Sequence, residues 1–252
     1  MASSKRSHWV FESNQSGSHA EGVALLAARY HGAEEGRGSG PAGTSYALSV
    51  YDDDDGLLPW DRIESEIQTF RDHAEANPTT GFRILPGGQP RPDDIHARFA
   101  ELFRNAPANC ELPGRWLDIL GHLKSVRVIL LDANVLVRPT DERTRALDQF
   151  FAANEALWET EFVEIVSFGP AMTLVANDKY ARARGYRHRI LDVDTIRYGD
   201  DAEEVRELLS VAYATKFVCI NDPDGTSTSQ QIGAIRIAAS AGLEIDAVLV
   251  EE

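Results

Sequence analysis

The chain has 252 residues, of which 43% are hydrophobic and 26% charged, as in an ordinary folded protein with one large or two modest domains. Its formal net charge of −15 argues against a broad surface that follows the phosphates of DNA or RNA, and equally against an anionic membrane surface. The sequence has no apolar run of about 20 residues, no secretory leader and only two cysteines, so we expect a cytoplasmic protein without a disulfide framework.

The N-terminal half predicts an α/β domain in which short strands alternate with helices. A segment containing seven of the 19 glycines follows the first strand. The most regular helix begins after Pro59, because Ile63, Ile67 and Phe70 fall on one face. Four aspartates at 52–55 are interpreted as a solvated acidic loop. The predicted strands lie at 9–11, 44–50 and 82–85, and the predicted helices at 20–30, 59–76 and 93–105.

The C-terminal half is more regular, with apolar strands separated by helices throughout. Near-continuous apolar strands that alternate with helices are typical of a parallel, doubly wound sheet. We therefore predict an α/β protein with two Rossmann-like three-layer domains, at 1–121 and 122–252, the second with a mostly parallel sheet. The predicted strands of the second domain are 126–131, 162–166, 188–191, 217–220 and 245–250, and its helices are 141–154, 172–184, 202–214 and 227–241.

One turn of the second domain departs from what a nucleotide-binding sheet requires. Such a turn is rich in glycine, so that backbone N–H groups can approach a phosphate at the start of the next helix. Here Phe168, Pro170 and Met172 are expected to crowd the turn. Pro170 also has no N–H group to donate. The sequence thus predicts a nucleotide-binding scaffold whose phosphate-binding turn is filled by side chains.

Three segments of the C-terminal half carry a resemblance to a known superfamily. They are the strand and turn at 165–171 with the helix end at 180–185, the segment 197–206, and the loop at 224–229. Over about residues 125–250 the chain resembles the SLOG superfamily, in its small stand-alone branch related to YspA and to the DprA and lysine-decarboxylase-like (LOG) proteins.

The SLOG resemblance implies a nucleotide-type ligand whose anionic group meets arginines, hydroxyl groups and backbone N–H groups. Glu207 follows Arg206 where the superfamily has asparagine, which is a departure from the pattern. The alternative is that these residues form a helix cap and solvated surface arginines. The candidate residues are Ser167, Gly169, Arg197, Arg206, Gly225, Thr226 and Ser227.

The N-terminal half, over about residues 8–116, is similar to a set of phage and bacterial proteins with a macro-domain-like opening. The similarity lies in the glycine-containing segment at residues 11–24. It implies a pocket for a nucleotide or ADP-ribose-type ligand, with Asn14, His19 and Gly22 as candidate binding residues. Glu12 replaces a glycine of the pattern, so its charge is expected to repel a phosphate. The alternative for His19 is a structural histidine bonded to nearby backbone.

Both halves therefore combine the core pattern of nucleotide-handling domains with altered phosphate-binding turns. We predict a non-catalytic, phage-encoded protein that binds or sequesters a nucleotide or ADP-ribose-type ligand. The alternative is a virion accessory or structural protein whose domains are protein-interaction surfaces, and a LOG-like or macro-like hydrolase is the third. No histidine pair has the His-x-x-x-His spacing and no serine lies in a strand-borne Gly-x-Ser-x-Gly turn, so we expect no metal, no cofactor and no catalytic residue.

Overall fold

The computed structural model describes residues 7–87, 90–132, 140–155, 158, 162–221 and 229–250. The chain forms two compact units that divide between Leu120 and Gly121. Each unit has a five-stranded, mostly parallel sheet flanked by helices, which confirms the predicted α/β fold class. Among the described residues, no helix combines the length and the apolar character that crossing a bilayer requires.

The first unit is built on a sheet in which one strand runs against the others. Its elements are β1 (His8–Asn14), α1 (Gly22–His31), β2 (Gly40–Ala42), β3 (Ser45–Tyr51), α2 (Trp60–Ala76), β4 (Phe82–Ile84), α3 (Asp93–Leu102), β5 (Cys110–Glu111) and α4 (Gly114–Ile119). The strand order is β2-β3-β1-β4-β5, and β2 is antiparallel to β3 while the other pairs are parallel.

The core of the first unit follows the predicted periodicity of α2. Ile63, Ile67 and Phe70 are fully buried and pack with Val10 of β1 and Phe82 of β4. Burial of each such side chain contributes about 1.5–3 kcal/mol to folding. The sequence did not predict β2, β5 or α4, because elements of three, two and six residues are too short to show a period.

The second unit alternates strands and helices almost without exception. Its elements are β6 (Ser125–Asp132), α5 (Thr140–Asn154), β7 (Phe162–Ser167), α6 (Ala171–Arg184), β8 (Arg187–Ile190), α7 (Thr195–Tyr198), a 3-10 turn (Gly199–Asp201), α8 (Ala202–Tyr213), β9 (Lys216–Asn221), α9 (Ser229–Ser240) and β10 (Glu244–Leu249). All pairings among these strands are parallel, in the order β10-β9-β6-β7-β8.

This order is that of a doubly wound dinucleotide-binding sheet. The chain moves outward from β6 to β7 and β8, then returns to place β9 on the other side of β6. Alternate residues of β6 enter different cores, because Leu130 faces α5 and α6 while Ile129 faces α8 and α9. The prediction that every strand is apolar is wrong for β8, since Arg187–Ile190 is a short edge strand with exposed, charged side chains.

Candidate functional site

The candidate site lies where the strand order of the second unit reverses. The carboxyl ends of β6 and β9 are neighbours, with Asp132 paired in register with Ile220. Ligands of open α/β sheets bind in the crevice outside such a reversal. Gln231 of α9 borders this edge and donates hydrogen bonds to Asn221 Oδ1 (3.1 Å) and to the Leu131 carbonyl (3.2 Å). The side chain of Asn221 is thereby held at the end of β9.

A buried guanidinium fixes the β6 side of this edge. Arg143 Nε donates to Asp132 Oδ2 at 3.0 Å, and the two side chains are 5% and 0% exposed. Arg143 Nη2 donates to Asn177 Oδ1 at 2.5 Å. The amide of Asn177 in turn donates to the Leu130 carbonyl and to Ser167 Oγ, each at 2.9 Å. One network thus joins the ends of β6 and β7 to α5 and α6.

The network continues into a Ser-His-Asp series that sequence reasoning missed. Ser167 Oγ is 3.0 Å from His188 Nε2, and His188 Nδ1 is 3.2 Å from Asp178 Oδ1. These distances match those of a catalytic triad. Ser167, however, is 0% exposed, and its oxygen already accepts a hydrogen bond from Asn177. A substrate has no access to it, so the series serves to attach the edge strand β8 to β7 and α6.

The turn after β7 differs from the prediction that bulky side chains fill it. Met172 is 49% exposed and points into solvent, so the expected crowding by this residue is wrong. Phe168 is buried with Leu131 and Val166 in the core on the α8 and α9 side. Gly169 has a positive φ of 92°. Pro170 precedes α6, where its missing N–H group is one donor fewer for an anion.

Both predicted arginines follow β8 in the chain, and Arg206 contacts the residue directly after this edge strand. Arg206 donates from Nε to the Leu191 carbonyl at 3.3 Å and pairs with Glu203. The backbone N–H of Arg197 donates to Asp194 Oδ1 at 3.0 Å. β6 and β7 separate β8 from β9, which amounts to about 14 Å across the sheet. Three predicted residues, Gly225, Thr226 and Ser227, lie outside the described residues.

In the first unit, three backbone donors of the glycine-containing loop are already bonded to side chains of the protein itself. The three bonds run from Ser16 N to Asp53 Oδ1 (2.8 Å), from Ser18 N to Asn14 Oδ1 (2.8 Å) and from His19 N to Glu35 Oε2 (2.9 Å). Two of these acceptors are carboxylates, which occupy donors that a phosphate would need. One of them, Asp53, belongs to the acidic loop that the sequence presents as simply solvated.

The remaining predicted residues of this loop have structural surroundings. His19 is buried, its ring edge packs on Phe11, and its Nε2 lies 3.4 Å from Ser13 Oγ. Burial lowers the pKa of His19. Gly22 has a φ of 56° and open space where a Cβ would lie. A Cβ on Gly38, in contrast, would lie 2.1 Å from a backbone oxygen of β1, so the loop is packed against itself.

The expectation that Glu12 presents a repelling charge is wrong. Its carboxylate is buried, pairs with Arg91, and accepts a hydrogen bond from Tyr51 Oη at 2.9 Å. Burial raises the pKa of Glu12, against the opposite effects of Arg91 and Tyr51. Sequence reasoning missed this pair because Arg91 follows Glu12 by 79 residues and belongs to no recognisable motif.

Comparison with models of known protein families gave no match to this chain, and a search of curated proteins gave none. The assignment of function therefore depends on the geometry of the two units.

Proposed function

We propose that the second unit binds a small ligand of the nucleotide or ADP-ribose type at the carboxyl ends of β6 and β9, without turning it over. The observation that carries the proposal is the strand order, which reverses between these two strands. A reversal leaves a crevice between helices on opposite faces of the sheet, and this crevice is where α/β proteins of this topology hold ligands.

This edge supports the proposal because it is fixed in place. Asn221 is held by Gln231, and the end of β6 is held by the ion pair of Arg143 with Asp132, whose buried carboxylate does not itself meet the ligand. Polar groups that are already ordered lose little conformational entropy when a ligand binds.

The first unit is the weaker candidate for the same ligand. Its loop donors at Ser16 and His19 are bonded to carboxylates, which a phosphate would have to displace. Displacement would also bring the phosphate close to two negative charges, which repel it. We therefore assign ligand binding to the second unit alone.

Binding without turnover is supported by the state of Ser167, a hydroxyl nucleophile near the site in the described part of the chain. Ser167 is inaccessible and doubly hydrogen bonded. A catalytic nucleophile must instead come within reach of the reacting atom.

Thermal unfolding in the presence of ADP-ribose, NAD or AMP tests this proposal. A ligand at 100 times its Kd stabilises the native state by about 2.7 kcal/mol, which raises Tm measurably. The matched variants are Asn221→Ala and Asn14→Ala, since each removes an asparagine at the end of a strand, one in each unit. The proposal predicts that Asn221→Ala loses the ligand-dependent shift and Asn14→Ala keeps it. The reverse pattern, or no shift with any of the ligands in the wild type, would contradict it.

A second candidate function is protein–protein interaction, and a separate surface favours it. Four large apolar side chains on α6, β8 and α7 are exposed, and Ile196 is the most exposed at 96%. Exposed apolar residues and an edge strand are typical of interaction surfaces. We take a second copy of this chain as the partner to be tested. Sedimentation velocity should then show self-association of the wild type, which Ile196→Glu abolishes. The four residues are Met172, Val175, Ile190 and Ile196.

A further inference from the structure

The sheet of the second unit has two edges among the described strands, and these edges carry opposite charges. Strand β8 lies at one end of the strand order and β10 at the other. The arginines Arg187 and Arg189 lie on β8, whereas Glu244 and Asp246 lie on β10. An edge strand presents N–H and C=O groups to which a further strand can bond. The two edges of one sheet are therefore complementary in charge and in hydrogen-bonding capacity.

The charged groups at both edges remain accessible to solvent. Arg187 is exposed, and Asp246 is half-buried. The side chain of Arg189 is 47% exposed although it pairs with Glu164. The side chain of Glu244 is 57% exposed although it pairs with a lysine of β9. Guanidinium and carboxylate groups each bond several partners, so these side chains can take a further partner of opposite charge.

Strand pairing fixes the face of the sheet that each charge occupies. Arg189 pairs in register with Val166, which packs in the core on the α8 and α9 side. Asp246 pairs in register with Val218, which packs in the core on the α5 and α6 side. Side chains two residues apart on a strand share a face. Both arginines of β8 therefore lie on one face of the sheet, and both carboxylates of β10 lie on the other.

The order of the strands leaves two ways to place β10 of a second copy beside β8. Either the two strands are parallel and like faces of the two sheets adjoin, or the strands are antiparallel and the second sheet is turned over. Only the antiparallel arrangement brings the carboxylates of β10 to the face that carries the arginines of β8. Both charge pairs then form in one register, because placing Arg189 opposite Glu244 also places Arg187 opposite Asp246. Oppositely charged side chains in these positions stabilise a pair of strands.

On its other face, the same register joins two exposed apolar side chains. Ile190 and Ile245, which are 43% and 37% exposed, become diagonal neighbours across the two strands. Exposed apolar residues on an edge strand are a liability for a chain unless a partner covers them. The contact therefore has a charged face and an apolar face, each complementary to its counterpart.

We propose that the second unit binds a second copy of this chain edge to edge, with β8 of one copy antiparallel to β10 of the next. Because the contact joins different strands of the two copies, each addition leaves one β8 edge and one β10 edge open, and the assembly can grow. The proposal depends neither on a ligand at the ends of β6 and β9 nor on Ile196.

Sedimentation velocity of the full chain over a range of concentrations tests the mode of assembly. In about 0.15 M salt, which screens the repulsion between copies that each carry a net charge of −15, we expect species larger than a dimer that increase with concentration. Strand β8 has only four residues, so the contact is small and the range should reach about 1 mM. A protein that stays monomeric at about 1 mM, or that stops at a dimer, would overturn the proposal.

Charge reversal tests the pairing of the two edges. Arg187→Glu places a carboxylate opposite Asp246, and Asp246→Lys places a cation opposite Arg187. Each variant alone should self-associate about tenfold more weakly than the wild type. Association should return when the two variants are mixed, and also in the double variant Arg187→Glu/Asp246→Lys, because every contact then joins opposite charges.

A matched control separates edge pairing from net charge. Arg62→Glu lies at an exposed position of α2 in the first unit, changes the net charge as Arg187→Glu does, and should not alter self-association. Weakened association that neither mixing nor the double variant restores would contradict the pairing of β8 with β10.

Hydrogen exchange of the wild type gives an answer that does not depend on the folding of a variant. Amides of β8 and β10 should exchange more slowly at high than at low protein concentration, whereas those of the central strand β6 should not change. Ile196→Glu should leave this slowing intact, which separates edge pairing from association through the surface around Ile196. Unchanged exchange at either edge, or loss of the slowing in Ile196→Glu, would show that the edges do not pair.

Discussion

Replacing Arg143 by methionine would remove the guanidinium that joins β6 to α6. Methionine keeps much of the volume but donates no hydrogen bond. The change leaves the Asp132 carboxylate, which is fully buried, without this cation, and leaves Asn177 Oδ1 without this donor. Breaking a buried ion pair from one side costs about 3–5 kcal/mol. We expect a loss of about 4 kcal/mol in the free energy of unfolding, a large share of the 5–15 kcal/mol typical of a domain.

The double variant Asp132→Asn/Arg143→Met separates the charge from the packing. It removes the buried carboxylate together with its partner, so no uncompensated charge remains. Its expected cost falls to about 1–2 kcal/mol, which is less than that of Arg143→Met alone. Arg182→Met is the surface control, because Arg182 is 79% exposed and its ion pair with Asp178 should contribute less than about 0.5 kcal/mol.

The assay is urea denaturation followed by amide hydrogen exchange of peptides from β6 and β7, so that the second unit is measured by itself. Two results would contradict this role of the ion pair: a free energy of unfolding of Arg143→Met within about 1 kcal/mol of the wild type, or a double variant no more stable than Arg143→Met.

The other predictions concern the buried serine, two glycines and one glutamate. Ser167 should not react with a fluorophosphonate in the native protein, and labelling of the native state would contradict its burial. Ser167→Ala should lower the free energy of unfolding by about 1–3 kcal/mol, because it leaves the hydrogen-bond partners of Ser167 unpaired. Gly38→Ala should destabilise the first unit by about 3 kcal/mol, because its Cβ would lie 2.1 Å from a backbone oxygen. Gly233→Ala, in an open position of α9, should instead raise stability by about 0.5–1 kcal/mol. In thermal unfolding, the first variant should lower Tm and the second should raise it. Burial and Glu204 raise the pKa of Glu207 to about 7, so the stability that its protonated form contributes is complete below the unfolded pKa and is lost as pH rises toward 7. Urea titrations from about pH 4.5 to about pH 7 should show a fall of about 2 kcal/mol in the free energy of unfolding. The variant Glu207→Gln should lack this fall.

Much of the fold could be predicted because its elements carry local patterns. The face of α2 formed by Ile63, Ile67 and Phe70 is visible as a period and is buried as expected. The parallel strands of the second unit are visible because residues buried on both faces produce continuous apolar runs. The strand β8 does not follow this rule, since Arg187 and Arg189 lie on a strand that is at the edge of the sheet among the described strands.

The candidate site could be predicted less well, because its contacts join residues far apart in the chain. A glutamate at position 12 predicts repulsion of phosphate from its own charge, but in the structure that charge is paired with Arg91. A methionine at position 172 predicts crowding only if its side chain turns inward, and helix position alone does not settle this. The link from Asp132 through Arg143 to Asn177 likewise depends on how the helices pack on the sheet, which no local pattern encodes.

Hydrogen exchange of the wild-type protein with saturating ADP-ribose tests the assignment of ligand binding to the second unit most directly. Amides at the end of β6, near Asp132, and at the end of β9, near Asn221, should exchange more slowly with the ligand, while those of the loop from Asn14 to Gly22 should not change. Protection confined to the loop of the first unit, or no protection anywhere, would contradict the proposed site.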